Sequence, residues 1–394
     1  MRILVVDDVG INRLLLSSTL ERWGHSVVAV ADGTEAWELL QQEQFSFVIS
    51  DWLMPKMSGV ELCRRIRAAQ LPWYVYVILL TSLGRPHEIV EGLDAGADDF
   101  VQKPFHEDEL RARMRAGERI VALERSLLES NQQLRQAYTT LREDLQAASQ
   151  VQQSLLPSPS TTVPGLQFAW FFCPHTFVAG DSFNFYRLDE THVGFYSIDV
   201  AGHGAAAAMQ SVTLSRFLSP LLEHDSVLKY FVPNPPHYVI RRPEAVVRRL
   251  NDCFQSNTDT MRYFTMVYGV IDLANNRVRL TQAGHPSPLH QRGRTVTAIG
   301  VGGFPVGMLP GMDYEYEEFD FQPGDRLVLY SDGITECLNP EGAEFSPERL
   351  VALLRDQDTL SLQDTAKYIE HHLRLWRESD VFDDDVTLFA IERV

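Results

Sequence analysis

Along residues 1–119, short apolar runs alternate with stretches of helical period. The runs are "ILVV", "SVVAV", "FSFVIS", "VYVILL" and "DFVQ"; between them lie "INRLLLSSTLERW", "GTEAWELLQQ", "GVELCRRIRAA" and "PHEIVEGLDA". A strand with one wet face would alternate apolar and polar residues. These runs are nearly continuous, so both faces must be covered. Helical crossovers supply that cover, which predicts an α/β domain with a doubly wound, five-stranded parallel sheet.

The pattern changes over residues 120–156, where glycine and proline are absent. Ile120, Leu127, Leu134, Leu141 and Ala148 recur every seven residues, with Glu124, Asn131, Tyr138, Leu145 and Gln152 as a more polar seam. The spacing predicts a helical coiled-coil linker and a parallel homodimer, the polar seam fixing register at some cost in stability. A single amphipathic helix packed on its neighbours would show the same period. "LLPSPSTTVPG", with three prolines, ends the helix.

In residues 157–394 the β-rich runs are "LQFAWFF", "HVGFYSI", "YFTMVYGVI", "RVRLTQAG", "RLVLYSDG" and "DVTLFAI". Helical stretches are expected at 205–222, 243–256, 347–355 and 361–377. That mixture predicts an α/β sandwich rather than a second doubly wound sheet. The proline-rich "YFVPNPPHY", 230–238, is expected to be an exposed excursion.

Composition is consistent with this division: 394 residues, 45% hydrophobic and 22% charged, suit a globular chain of at least two domains. A net charge of −18 argues against a nucleic-acid partner, which would call for a basic patch. Cys63, Cys173, Cys253 and Cys337 are far apart and fit no zinc pattern, so reduced thiols are expected. "MRILVVDD" lacks the apolar core of a signal peptide, and no run approaches the roughly 18 apolar residues of a membrane span. The expectation is a cytoplasmic protein with no membrane partner.

Ligands of an open parallel sheet gather at the carboxyl ends of its strands. Asp7 and Asp8 end the first run, Asp51 the third and Thr81 the fourth, while Lys103 follows the fifth, directly before Pro104. One strand-end Asp is ordinarily a loop-capping residue. Three carboxylates at one edge would repel one another unless a hard cation such as Mg²⁺ sat among them. Threonine hydroxyls and lysine ammoniums are donors to a bound phosphoryl group. In "VVDD", "SDWLMP", "LLTS" and "FVQKPF" the segment resembles the receiver domain of two-component response regulators. The resemblance implies that Asp51 takes phosphate from a phosphohistidine on a sensor histidine kinase or phosphotransfer protein. It also implies Mg²⁺ held by Asp8, Asp51, the Leu53 carbonyl and, partly through water, Asp7. Thr81 and Lys103 would contact the phosphoryl oxygens, and Phe100 would be the switch aromatic.

The C-terminal segment repeats the device of carboxylates at strand ends: Asp181 in "VAGDSFNFY", Asp199 in "YSIDVAGHG", Asp332 in "YSDGITE", and Asp383, Asp384 and Asp385 in "FDDDVTL". Asp-Gly after an apolar strand lets backbone approach a ligand closely. Several such carboxylates at a sandwich rim suit two hard divalent ions, which activate water for phosphoryl displacement. In "VQQSLLP", "AGD", "DVAGHG", "YFTMVYGVID", "AGHPSP", "YSDGITE" and "DDVTL" the segment resembles metal-dependent protein serine/threonine phosphatases (protein phosphatase 2C-like). It is most similar to their bacterial sporulation and stress-response branch. The resemblance implies two Mn²⁺ or Mg²⁺ ions bridged by Asp199. The Val200 carbonyl would hold one ion, Asp332 and Asp384 the other, and Asp181 would act directly or through water. Gly204 and the helix behind it would fix the turn. One departure is Asn184, where the family commonly has a second Asp.

His203 and His285 are expected to be turn and rim residues rather than a catalytic acid or a ligand, Cys337 no nucleophile, and Asp383 and Asp385 outer-shell groups. The two resemblances together imply a response regulator whose Asp51 phosphorylation controls an attached phosphoserine/phosphothreonine phosphatase. The branch suggests an anti-sigma-factor antagonist as the phosphoprotein substrate. The alternative is a catalytically silent, phosphatase-like adaptor that binds a partner such as a sigma factor. The surviving carboxylates favour the enzyme.

Overall fold

Alternate side chains of a strand point to opposite faces of its sheet, and in the N-terminal sheet both sets are buried. The structure is a computed structural model that describes residues 1–69, 71–82, 86–158, 160–202, 204–220, 226–255 and 263–394. It divides into two units, Met1–Thr139 and Thr140–Val394. The first contains β1 (Arg2–Val6), α1 (Gly10–Arg22), β2 (Ser26–Val30), α2 (Gly33–Gln42), β3 (Phe47–Asp51), α3 (Gly59–Ala68), β4 (Tyr76–Thr81), α4 (Pro86–Asp94) and β5 (Asp99–Gln102), and then enters α5 (Glu107–Gln153).

The strands pair in parallel in the order β2-β1-β3-β4-β5, the doubly wound sheet expected from the sequence. Leu4, Val6, Val48, Val77 and Leu79 pack with Ala36 and Leu40 of α2 and Cys63 and Ile66 of α3. The alternate positions Ile3, Val5, Ile49, Ile78 and Leu80 pack with Leu16 and Leu20 of α1 and Leu110 and Met114 of α5. Side-chain caps start two of the helices: Asp32 accepts from Thr34 N and Glu35 N, and Ser58 accepts from Glu61 N. The winding reverses between β1 and β3, so the loops after these strands flank a crevice.

α5 runs for 47 residues without a break, so one helix both packs on the parallel sheet and carries the heptad segment. Ile120, Leu127, Leu134, Tyr138 and Leu141 stand exposed along it. Gln152, expected at the polar seam, is instead buried, because its amide is occupied by the backbone of Ala179. No helix among the described residues is long and apolar enough to cross a membrane.

The second unit is an α/β sandwich of two five-stranded antiparallel sheets. Its elements are β6 (Leu166–Cys173), β7 (Ser182–Arg187), β8 (His192–Val200), α6 (Ala205–Phe217), β9 (Lys229–Phe231), β10 (Tyr238–Ile240), α7 (Pro243–Cys253), β11 (Phe264–Asp272), β12 (Arg277–Ala283), β13 (Leu289–Arg292), β14 (Thr295–Ala298), β15 (Glu317–Asp320), β16 (Asp325–Tyr330), α8 (Asp332–Thr335), α9 (Pro347–Asp356), α10 (Leu362–Arg377) and β17 (Val386–Arg393). One sheet has the order β15-β12-β11-β8-β7, the other β14-β13-β16-β17-β6. Phe183, Phe185, Phe195, Val267 and Leu280 from the first meet Leu327, Leu329, Phe389 and Ile391 from the second in the core between them. α6 and α7 cover the outside of the first sheet through Leu214, Val246 and Leu250. α9 and α10 cover the second through Leu350, Leu354, Ile369 and Leu373. The proline-rich excursion is the separate hairpin β9–β10, on which Phe231 is exposed.

Candidate functional sites

At the crevice of the parallel sheet, Asp7 is fully buried just past β1 and Asp51 closes β3. One oxygen each of Asp7, Asp8 and Asp51 lies within 4.8 Å of the others, the sole such cluster of three or more metal-ligating side chains among the described residues. Lys103 Nζ stands 2.8 Å from Asp7 Oδ2 and 2.9 Å from Asp51 Oδ2. Burial raises the Asp51 carboxyl above its ordinary range, a rise the Lys103 ammonium opposes. Burial pulls the Lys103 ammonium down, but its bonds to Asp7 and Asp51 outweigh this and hold it above the ordinary value. Asp7 Oδ1 also accepts from Val9 N at 2.9 Å, which fixes the carboxylate on the loop. Buried Thr81 ends β4, one residue past Leu80, the strand partner of Asp51. The Leu53 side chain is exposed. Phe100, in β5, lies under the Arg113 guanidinium, 5.8 Å from the ring centre. A small carboxylate pocket facing one ammonium and a threonine can hold a hard cation and receive a phosphoryl group.

In the sandwich, four chain-distant carboxylates meet at one end of the two sheets. Asp199 lies one residue before the end of β8, Asp332 opens α8 rather than ending a strand, Asp384 precedes β17, and Asp181 precedes β7. Asp181 is 2% exposed. Its Oδ2 accepts from Thr387 Oγ1 at 2.5 Å, yet burial and Asp199 push its carboxyl well above the usual range. Burial pushes Asp199 up to about 7, helped by Asp332, Asp384, Asp385 and Glu336. Asp332 is raised by burial, Glu336 and Asp384. The charged groups that act most strongly on Asp199 are acidic, and such a cluster needs protons or cations to be stable. The donor set, all hard oxygens, fits Mg²⁺ or Mn²⁺. It is more open than the receiver cluster, since no three of its members close within 4.8 Å among the described residues; two ions about 3.5–4 Å apart would need that spread.

The backbone here follows the glycines. Gly204, at φ 80°, precedes α6 in a conformation an L-residue rarely adopts. Gly333 packs directly on the Asp385 backbone, bringing the Asp332 turn against the Asp384 turn. Val200, the last residue of β8, is buried. His203 lies outside the described residues.

Asp385 is raised by burial, although its oxygens accept from His175 N and Gly180 N at 2.7 Å each. It thereby ties the Asp181 loop to β17. Asp383 instead pairs with Arg377 at 2.5 Å, at the surface. His285 is 2% exposed and its Nδ1 is 2.9 Å from Thr265 Oγ1, on the residue paired with Asp199 across the strands. Burial lowers its pKa to about 3, so it is a neutral supporting residue. Cys337 is buried and its thiol raised by burial, the opposite of an activated nucleophile. The sequence reading overlooked Glu336. Its signal was the spacing, four residues after Asp332 and hence one helical turn on.

The model of the stage II sporulation protein E (SpoIIE) family matches residues 189–394, and that of the response regulator receiver domain matches residues 3–115. Phosphoserine phosphatase RsbU of Bacillus subtilis is 26% identical over 269 residues, covering 67% of this chain and 74% of RsbU. Response regulator RppA of Synechocystis is 43% identical over 123 residues, covering 30% of this chain and 51% of RppA. The chain thus spans about half the length of that response regulator. The SiaA-PP2C domain of Pseudomonas aeruginosa shares the sandwich fold, with a TM-score of 0.56 and 18% identity over 65% of this chain and 98% of that domain.

Proposed function

Because the chain belongs to the SpoIIE family and carries a response regulator receiver domain ahead of that family's segment, we propose that it is a metal-dependent phosphoserine/phosphothreonine protein phosphatase controlled by phosphorylation of Asp51. The observation that carries this is Asp199, near the end of β8 beside Asp332, Asp384, Asp385 and Glu336, which together with burial hold it up at about 7. A structural carboxylate in such a place would have a cationic partner.

Asp199, Asp332, Asp384 and the Val200 carbonyl would hold two Mn²⁺ or Mg²⁺ ions, with Asp181 acting directly or through water. When bound, the ions supply an activated water and the positive charge that hydrolysis of a phosphate monoester needs. Thr387 and Asp385 orient the Asp181 loop. In the receiver, Asp8, Asp51, the Leu53 carbonyl and Asp7 would hold Mg²⁺. An Asp51 oxygen would attack the phosphorus of a phosphohistidine on a histidine kinase or phosphotransfer protein, forming the O–P bond as the P–N bond breaks and the imidazole leaves. Lys103 would then turn from the carboxylate to the phosphoryl oxygens, with Thr81 as the second donor.

The exposed row Leu127, Leu134 and Leu141 on α5 would pair two chains, so that phosphorylation acts through the helix. The RsbU relative carries the name phosphoserine phosphatase, which supports a phosphoserine protein as substrate; by the resemblance to its branch, that protein would be an anti-sigma-factor antagonist.

The test is hydrolysis of para-nitrophenyl phosphate by the full chain with Mn²⁺, Mg²⁺ or chelator, with and without beryllofluoride. Metal-dependent turnover that disappears in Asp199→Asn supports the enzyme, and a beryllofluoride effect lost in Asp51→Asn supports the control. No turnover under any condition would leave the silent adaptor as the better account.

A further inference from the structure

The end of α5 meets the sandwich through two polar side chains, one on each side of Asp181. Gln152, 6% exposed, donates from Nε2 to the Ala179 carbonyl at 2.6 Å and accepts from Ala179 N at 3.0 Å. A side-chain amide is the only neutral group offering both a donor and an acceptor in that fork. Asn184 donates from Nδ2 at 2.9 Å to the carbonyl of Leu155, in the turn two residues past the last residue of α5. Ala179 lies two residues before Asp181 and Asn184 three after it.

The remaining supports of this loop come from the sandwich. Asp385 holds Gly180 N and His175 N, and Thr387 holds the Asp181 carboxylate. The backbone of Ala179 is fully buried, so it has no water to replace the amide of Gln152.

We propose that Gln152 and Asn184 are positioning residues that clamp the Asp181 loop to the end of α5, so that metal affinity at Asp181 depends on α5 staying wound through Gln152. Asn184 is here a donor to the turn past the helix and not a degenerate metal ligand. An ionised Asp at 184 has no N–H to donate and would set a negative charge against the Leu155 carbonyl. The two roles therefore predict opposite outcomes for Asn184→Asp: weaker metal binding if the residue clamps the helix, tighter if position 184 belongs to a metal shell.

Because the clamp rests on Asp181 as a metal ligand, Mn²⁺ binding to the full chain is measured by calorimetry beside an Asp181→Asn control. All variants carry Asp8→Asn, which keeps the receiver carboxylates out of the signal. Amide hydrogen exchange over residues 175–181 is followed in parallel without metal, as is thermal unfolding. Gln152→Ala and Asn184→Asp should each raise the Mn²⁺ dissociation constant about tenfold or more, the usual effect of losing a group that orients a ligand, and speed exchange in that segment. Wild-type affinity in both, with Asp181→Asn impaired, overturns the clamp alone. Tighter binding in Asn184→Asp overturns the role of Asn184. Unimpaired binding in Asp181→Asn removes the metal assignment and the clamp with it.

Discussion

A Cβ placed on Gly333 would lie 2.1 Å from the carbonyl oxygen of Asp385. The obstacle is backbone on both sides, so no rotamer change relieves it. The contact fixes the spacing of the turns that present Asp332 and Asp384. Gly333→Ala should lower unfolding free energy by about 1–3 kcal/mol, the range for forced overpacking, and weaken Mn²⁺ binding as well. Urea unfolding and calorimetry on one preparation would check both effects.

Asp199 should make the metal-free chain less stable than it could be. Its folded pKa of about 7 lies above the ordinary carboxyl value of 3.8. A raised carboxyl contributes stability that is complete below the unfolded value and lost as pH rises from about 4 to about 7. At pH 8 in chelator, Asp199→Asn should therefore be more stable than wild type by on the order of a few kcal/mol and unfold at a higher temperature. Added Mn²⁺ should reverse the order by stabilising wild type alone. If the variant melts lower in chelator, the carboxylate has a cationic partner that the proposed site does not require.

His285 titrates in the opposite sense. Its pKa falls from 6.5 to about 3 through burial, so the unfolded chain binds the proton more readily. Stability from this group is complete above about pH 6.5 and is lost as pH falls toward 3. Replacing it by Gln, which keeps a hydrogen-bonding group for Thr265, should flatten the acid limb of stability against pH relative to wild type. Parallel limbs between pH 6.5 and 4.5 would place the imidazole in water.

The exposed leucines of α5 predict self-association. Leu134 is 68% exposed, and a leucine seam repeated every seven residues is a pairing surface. Sedimentation of the full chain should show a dimer that Leu134→Glu converts toward monomer without changing its helix content by circular dichroism. A monomeric wild type at micromolar concentration would assign the row to another partner.

Much of the receiver was legible because continuous apolar runs define two-faced strands, and a strand's last residue marks the edge of its sheet. Asp7, Asp8 and Asp51 could thus be grouped from the sequence, and their carboxylates do converge. The sandwich carboxylates were equally visible as strand-end polar residues, although Asp332 lies on a short helix instead of a strand end. Glu336, Thr387 and the buried face of Gln152 were not visible, since each acquires its partner from a distant segment.

Sequence alone determined most element types and the residues able to carry charge at strand ends. Local spacing and apolar periodicity encode both. Only the tertiary structure decided which carboxylates are buried together and which are tied off. Asp383, Asp384 and Asp385 are consecutive, yet one pairs with Arg377 at the surface, one faces the acidic site and one holds His175 N and Gly180 N. Their chemistry is identical and their spacing uninformative. What separates them is burial and the groups that the fold brings alongside, because solvent exposure and nearby charge decide whether a carboxylate is solvated, paired or left to bind a cation.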